Sequence, residues 1–334
     1  MLAAVCCTVF TILLPQLLIT RPDSTGNLAS LAMWYFPGYV IAWGSLSLLV
    51  VTLAQRMVRP AVKQNVILIL AVATILRLFA VFAASPQLSD DIWRYIHDGQ
   101  TLAAGHNPYA TAPAELESQN KVTRQINHPQ LVTIYQPASQ WVFALLAKCQ
   151  FDRLGDVTFR LGFVLFDLGI IALIIAELTR LKRSVWWSLC YAWHPLVISE
   201  VAATGHQDVI GIAMLLACIC FVMRRGRRLD MFFAGVCFAM SVAVKPIVFP
   251  LILPLVWELF RTPVACSPDR KVMCAFRIQP VQEGKRHRLH GAARTQHHAP
   301  KGDRPLLAHL RFRVLLLLIE CVAIRVFLGR PPMT

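Results

Sequence analysis

The 334-residue chain is 56% hydrophobic, has a mean hydropathy of +0.55 and carries a formal net charge of +15. This composition is too apolar for an ordinary soluble domain, and the positive charge does not indicate nucleic-acid binding, because much of it lies in short loops between apolar runs. Several of these runs approach the ~20 residues that cross a bilayer. We therefore expect an all-α, polytopic transmembrane helical bundle.

Apolar segments follow one another along the first three quarters of the chain. The first lacks a basic region and a clear cleavage site, so we interpret it as a membrane helix rather than a signal peptide. A long polar segment, 86–156, separates the third from the fourth and contains an amphipathic stretch, 135–148, that is suited to lying on the membrane surface. The predicted segments are 2–19, 31–53, 65–84, 159–178, 185–201, 209–223, 231–244 and 247–260.

Basic residues fall on alternate loops, and this alternation predicts the topology. Such loops stay in the cytoplasm by the positive-inside rule, which puts the N-terminus inside and the polar clusters, including the loop 86–156, on the outer face. The sequence thus predicts a multi-pass protein of the cytoplasmic membrane. The basic loops are 56–63, 180–183, 224–228 and Arg261.

The chain changes character after about residue 264. Residues 1–263 form the predicted transmembrane core, whereas 264–334 read as an atypical basic, mostly disordered tail without a core-forming face. A frameshift or truncated reading frame is the preferred explanation of this tail. A solvated cytoplasmic tail is the alternative.

The stretch 89–99 organises the chain, because it brings two carboxylates to the point where the third segment should leave the hydrocarbon. Asp90 and Asp91 stand side by side there. Acids beside a bilayer are costly to place without a purpose, and the neighbouring Trp93 and Tyr95 suit the membrane interface. The pattern indicates chemistry at the boundary of water and lipid.

A purely structural interpretation of the same stretch stays open. Ser89 is a good N-cap, and acids favour a helix N-terminus. In a helix that starts there, Arg94 and Asp98 form an ordinary i,i+4 pair.

Four further polar clusters fall on the predicted outer face. Each has a structural alternative, because Asn-Pro and His-Pro sequences form turns and Asp208 can cap a helix. A zinc site of His128, His194 and His206 is another alternative, although their spacing matches no known pattern. The clusters are 105–109, 127–137, Trp193 to Asp208 with Glu200 inside it, and Lys245.

Three ordered motifs, SDDIWRYIHDGQTLAAGHNPY, NHPQLVTIYQP and YAWHPLVISEVAATGHQD, carry a family resemblance. Together they resemble bacterial integral-membrane mannosyltransferases of the GT-C class, which take a sugar from a polyprenyl phosphate. The resemblance covers 31–261. The chain departs from the family pattern at His97, Gln136 and His194, where that pattern has Trp, Pro and Asn.

The resemblance implies a hexosyltransferase that moves a sugar, mannose by expectation, from a polyprenyl-phosphate donor to a glycan or glycolipid acceptor. Its partners are these two substrates and membrane lipids. Asp90 or Asp91 is the expected general base, and Arg94, His206 and Lys245 are the candidate cations for the leaving phosphate. No cofactor and no metal ligand is assigned, and a divalent metal stays open. The expected substrate- or donor-binding residues are Arg94, Asp98, Asn107, Tyr109, His128, Tyr135, His206, Asp208 and Lys245.

Two other functions compete with this one. A multi-pass transporter would also place charges at a membrane cavity, but matching halves with broken helices are not evident. A polyprenyl-phosphate phosphatase would need several Arg residues and a His nucleophile in tight motifs. If the tail reflects an interrupted frame, little transferase activity is expected of the 334-residue chain.

Overall fold

The computed structural model describes residues 63–84, 89–115, 120–224 and 228–246, together with Gly44, Ser45, Leu48, Val50 and Thr52. The predicted segments 2–19 and 247–260, most of 31–53 and the tail after 264 lie outside these residues. Within them the chain is helical and contains no strand, which confirms the all-α prediction for this part of the chain.

From residue 63 onward, the described ranges contain eight α-helices and four short helical turns. The α-helices are α1 (Lys63–Ala83), α2 (Asp91–Ala103), α3 (Pro137–Lys148), α4 (Asp156–Arg180), α5 (Leu189–Ala192), α6 (Pro195–Ile198), α7 (Asp208–Arg224) and α8 (Arg228–Val244). The turns are the 3-10 helices Pro113–Glu115, Thr123–Gln125 and Val185–Ser188 and the π-helix Ser199–Ala203.

Helices α1 and α4 are long and apolar enough to cross a membrane, by length and composition. They are 21 and 25 residues long, and both match predicted segments. Helices α7 and α8, with 17 residues each, also lie where apolar segments were predicted, but they are shorter than the ~20 residues that usually span a bilayer. The described residues therefore supply two candidate spans.

The prediction of one continuous span at 185–201 is wrong. A 3-10 turn, two four-residue helices and a π-helix replace it. Pro195 has no backbone N–H to continue a helix from the preceding turn, and His194 before it takes an extended conformation with φ −70° and ψ 120°. The apolar run is broken into short pieces, and these pieces pack against α1 and α4.

Helix α2 packs across α3 and sets the position of the candidate site. The crossing is close because Gly99 has no side chain there, and a Cβ would lie 2.5 Å from the Phe143 backbone oxygen. Aromatic rings extend this contact: Tyr95 stacks on Phe143 and meets Tyr135 edge-on, both with ring centroids 4.8 Å apart. Ring pairs of this kind add about 0.5–1.5 kcal/mol each beyond burial, so they hold α2 firmly against α3.

Candidate active site

The two acids at the start of α2 have different surroundings. Asp90 is the residue before the helix, where it is exposed and makes no side-chain capping bond. Asp91 opens the helix with a side chain that is 49% exposed. The Ser89 hydroxyl accepts a hydrogen bond from the Asp91 backbone N–H at 3.4 Å, so Ser89 supports the helix start as predicted, although Asp90 is the N-cap.

A sharp turn after the π-helix carries His206 toward α2. Gly205 has a φ of +78°, and a Cβ there would lie 2.7 Å from Ile92 Cδ1 and 2.9 Å from Arg160 Cγ. Both the conformation and the space therefore require glycine. The His206 backbone N–H closes the turn on the Glu200 carbonyl oxygen at 2.9 Å. Such π-helical insertions are frequent at functional sites.

The imidazole of His206 lies between two carboxylates. Its Nδ1 is 2.8 Å from Glu200 Oε2, and its Nε2 is 4.0 Å from Asp91 Oδ2. Burial alone would lower the pKa of His206, but the hydrogen bond to Glu200 and the charges of Glu200, Asp208 and Asp91 outweigh burial and raise the pKa. The carboxylates therefore favour the protonated form of the ring.

An ion pair lies near His206, where α7 begins and α8 ends. Lys245, just after α8, donates to Asp208, the first residue of α7. Both side chains stay accessible, at 49% and 31% exposure. Below them, the Ser139 hydroxyl lies 2.7 Å from Gln207 Oε1 and 3.4 Å from the Val244 carbonyl oxygen, which ties α3 to both helix ends.

Asp98 and Arg94 form the predicted i,i+4 pair, but they face inward. Asp98 is 1% exposed, and its carboxylate accepts from Arg94 Nε at 3.0 Å and from Gln140 Nε2 at 3.1 Å. His97 Nδ1 lies 3.4 Å from the same carboxylate, and Arg94 also donates to the Leu131 carbonyl oxygen at 2.6 Å. Both charged groups are therefore already bonded within the protein, and the pair holds the loop around Leu131 against α2.

Two predicted tyrosines connect this loop to α2. The Asn107 side chain accepts from the Tyr109 backbone N–H at 3.0 Å, and the Tyr109 hydroxyl donates to the Tyr135 carbonyl oxygen at 2.7 Å. Burial raises the pKa of Tyr135, and the nearby Asp91 charge adds to this, while a hydrogen bond with Tyr95 opposes it. Tyr135 therefore keeps its proton next to Asp91.

The structure brings four of the predicted site residues together, and we call them, with Glu200, the acid–histidine cluster: Asp91, Glu200, His206, Asp208 and Lys245. Arg94 and Asp98 lie in the buried pair. His128 and Asn107 lie in exposed turns, His128 with a φ of 51°.

Metal-ligand geometry is not found in the described ranges. No three His, Cys, Asp or Glu side chains gather there in a way that could hold a metal ion. His128, His194 and His206 therefore do not form the zinc site considered as an alternative.

Glu200 and Gln140 contact predicted site residues but were not themselves predicted as site residues. Glu200 was placed on the outer face but was not assigned to the site, because its contact with His206 spans six positions through a π-helix and a glycine turn. No regular helical spacing indicates such a pair. Gln140 is 1% exposed in an amphipathic helix, where a buried amide would have been the signal for an internal partner.

The acid–histidine cluster brings carboxylates, an imidazole and an ammonium group together, which are groups suited to proton transfer and to binding an anion. Residues 5–261 match the family described as alpha-(1->6)-mannopyranosyltransferase, N-terminal domain. This match covers more than half of the chain, so the chain belongs to that family, and it is a glycosyltransferase of the mannosyltransferase kind. No curated protein and no solved structure matches it.

Proposed function

We propose that this protein transfers mannose from a polyprenyl-phosphate donor to a glycan or glycolipid acceptor at the outer face of the cytoplasmic membrane. The observation that carries the proposal is the acid–histidine cluster, in which Asp91 faces His206 across 4.0 Å beside the accessible pair of Asp208 and Lys245. The family membership supports the sugar, and the two apolar helices support a lipid-borne donor.

Asp91 is the general base in this mechanism. A sugar hydroxyl is a weak nucleophile at neutral pH, and a carboxylate within hydrogen-bond reach can take its proton as attack on the anomeric carbon develops. Asp91 meets this need better than Asp90, because it is half exposed to an acceptor and faces an imidazole that can take the proton onward. Asp90 has the exposed N-cap position, where a carboxylate stabilises the helix start.

Lys245 stabilises the charge on the leaving phosphate, because both ring nitrogens of His206, the other candidate cation, face the carboxylates of Glu200 and Asp91. The Lys245 side chain is 49% exposed even while it pairs with Asp208, so a phosphate can approach it without unfolding the site. Arg94 acts indirectly in this scheme, since its guanidinium holds Asp98 and the Leu131 carbonyl oxygen. We assign this chemistry to residues 1–263. Asn107, Tyr109, His128 and Tyr135 form the acceptor side of the loop.

The outer-face topology can be tested with a cysteine that the chain already has. Cys149 is exposed and lies in the segment 86–156. An impermeant maleimide added to intact cells should label it, and Cys149→Ala should remove that label. Cys218 and Cys220 are buried, as predicted, and should stay unlabelled. Labelling of Cys149 only after the membrane is opened would contradict the topology.

The transfer itself is tested with labelled mannose on two donors. Membranes that contain the protein should transfer mannose from polyprenyl phosphomannose and not from a nucleotide sugar, and Asp91→Asn should lower the rate. The assay is run on the 334-residue chain and on a fusion that carries a family C-terminal half after residue 261. Equal transfer from the nucleotide donor would contradict the proposed donor. Movement of label across the membrane without a new glycosidic bond would favour a transporter.

A further inference from the structure

The surroundings of His206 determine which ring nitrogen carries the hydrogen. Nδ1 faces two oxygens, Glu200 Oε2 at 2.8 Å and Thr204 Oγ1 at 3.1 Å. The Thr204 hydroxyl donates its own hydrogen to the Glu200 backbone carbonyl at 2.7 Å, so it presents a lone pair to the ring. A nitrogen that faces two acceptors must be the donor. The neutral ring is therefore the Nδ1–H tautomer.

The other nitrogen then has a free lone pair and faces the candidate base. Nε2 lies 4.0 Å from Asp91 Oδ2, one small rotation from a hydrogen bond, and hydrogen bonds at catalytic sites often shorten when substrate binds. The turn holds the ring in this orientation, because the His206 backbone N–H is bonded to the Glu200 carbonyl. One residue, Glu200, thus holds His206 through both its backbone and its side chain.

We propose that Glu200 is a positioning residue that fixes His206 as the Nδ1–H tautomer and turns Nε2 toward Asp91, so that His206 receives the proton that Asp91 takes from the acceptor. This role rests on the proposed function. The bond from the anomeric carbon to the donor phosphate breaks, and its electron pair leaves with the phosphate. The acceptor oxygen forms the new bond to that carbon. The hydroxyl proton passes to Asp91, then to Nε2, and then to water.

Charged groups from several helices surround the turn that carries this ring, and those of Glu200, Asp208 and Asp91 act on its pKa. Asp91 comes from α2, Glu200 from the π-helix, and Asp208 from α7 with Lys245 as its partner. Helix α4 contributes Arg160, whose stem lies beside Gly205 while its guanidinium is held by Asp156 and the Ala84 carbonyl oxygen. Of these charges, only Glu200 contacts Nδ1.

The sign of the pH effect follows from this arrangement. The relay needs His206 neutral, so the rate rises as pH rises through the pKa of His206. Glu200 stabilises the imidazolium form and keeps that pKa high. Glu200→Gln keeps an acceptor oxygen for Nδ1–H but removes the charge, so it should move the rising limb to lower pH. The maximum rate should fall, because a less basic imidazole accepts the proton less readily.

Two measurements on each variant test the proposal. The first is the titration of the His206 ring by NMR in the ¹⁵N-histidine-labelled full chain, with the resonance assigned by its loss in His206→Gln. In Glu200→Gln the midpoint should fall by about one pH unit.

The second measurement is the pH profile of kcat for mannose transfer, in whichever form of the chain transfers. Its rising limb should shift in the same direction, and the maximum kcat should fall by about tenfold or less with KM little changed, because the loss of about one pH unit of basicity limits the effect. Glu115→Gln is the matched control, because Glu115 contacts the Ala112 backbone N–H, and it should leave both readouts unchanged.

The outcomes separate the inference from the function on which it rests. A His206 midpoint that does not move in Glu200→Gln would overturn the assignment of Glu200, even if transfer is normal. A midpoint that falls without any shift of the rate limb would overturn the relay, because His206 would then titrate without affecting transfer. If no form of the chain transfers mannose, the proposed function and the relay fail together, whatever the titration shows.

Discussion

Two groups of charged residues in this protein have the same chemistry and opposite surroundings. The acid–histidine cluster leaves Asp91 and Lys245 each 49% exposed. Between α1 and α4, by contrast, Arg77 and Asp167 form an ion pair with no exposed side-chain surface. Buried charges must be paired and hydrogen-bonded to be tolerated. A half-exposed carboxylate, by contrast, keeps oxygen lone pairs free to accept hydrogen bonds from a substrate. Burial, rather than residue type, therefore separates structural charges from candidate catalytic ones.

The largest effect is expected when one partner of the buried ion pair is removed. Arg77 also donates to the carbonyl oxygens of Ala192 at 2.7 Å and Ala73 at 3.1 Å, so it joins the short helix α5 to α1. Arg77→Met leaves Asp167 buried without its countercharge, and should destabilise the folded protein by about 3–5 kcal/mol. Thermal unfolding in detergent measures this loss.

The matched control removes both charges at once. Arg77→Met with Asp167→Leu should recover most of the stability, because two apolar side chains of similar volume replace a buried pair at little cost. If the double variant is as unstable as Arg77→Met alone, the pair does not act as a unit and the backbone hydrogen bonds of Arg77 are what matter.

The second prediction separates the two neighbouring acids. Asp91→Asn should lower kcat for mannose transfer by about 10²-fold or more, the scale of losing a general base. Asp90→Asn is its matched control and should have a smaller effect, limited to the helix start. The measurement is the initial rate at saturating donor and acceptor. A larger loss in Asp90→Asn than in Asp91→Asn would reverse the assignment of the base.

Much of the helical framework could be predicted from the sequence, because long apolar runs leave few other structures. The predicted segment 159–178 lies within Asp156–Arg180, and 209–223 lies within Asp208–Arg224. The run 185–201 was also predicted as a span, yet it breaks at Pro195. Hydropathy alone cannot tell a continuous helix from a broken one whose backbone is satisfied by its neighbours.

The candidate site could be predicted only in part, for a related reason. The alternating basic loops placed Asp91, His206 and Lys245 on one predicted face, and the structure places these three in one cluster. Sequence could not show that Asp98 is buried whereas Asp91 is half exposed, because residues seven positions apart lie on the same face of a helix and periodicity therefore predicts the same environment for both. That difference depends on how α3 packs over α2, which is a tertiary property.

The third prediction concerns the turn that presents His206. Gly205→Ala adds a Cβ where φ is +78° and where Ile92 and Arg160 already fill the space. It should cost about 1–3 kcal/mol of stability and lower transfer, because the ring moves away from Asp91. Gly105→Ala is the matched control: its φ is +85°, but no atom lies within 4 Å of the added Cβ. Equal effects of the two changes would show that backbone strain, rather than crowding under His206, controls the turn.

The smallest effect is expected at the rim of the loop, where Tyr109 is 42% exposed. Tyr109→Phe removes the hydrogen bond from its hydroxyl to the Tyr135 carbonyl oxygen. Water can replace an exposed donor, so the cost should be near the lower end for such bonds, about 0.5 kcal/mol. Thermal unfolding should therefore barely change.

The KM for the acceptor separates two roles of Tyr109. If its hydroxyl only braces the loop, KM will change as little as stability does. If the hydroxyl also binds the acceptor, its removal will raise KM by about tenfold, or 1.4 kcal/mol. A tenfold change in KM with unchanged unfolding would assign Tyr109 to the acceptor site rather than to the scaffold, and it would extend the candidate site from Asp91 to the loop that carries Tyr109.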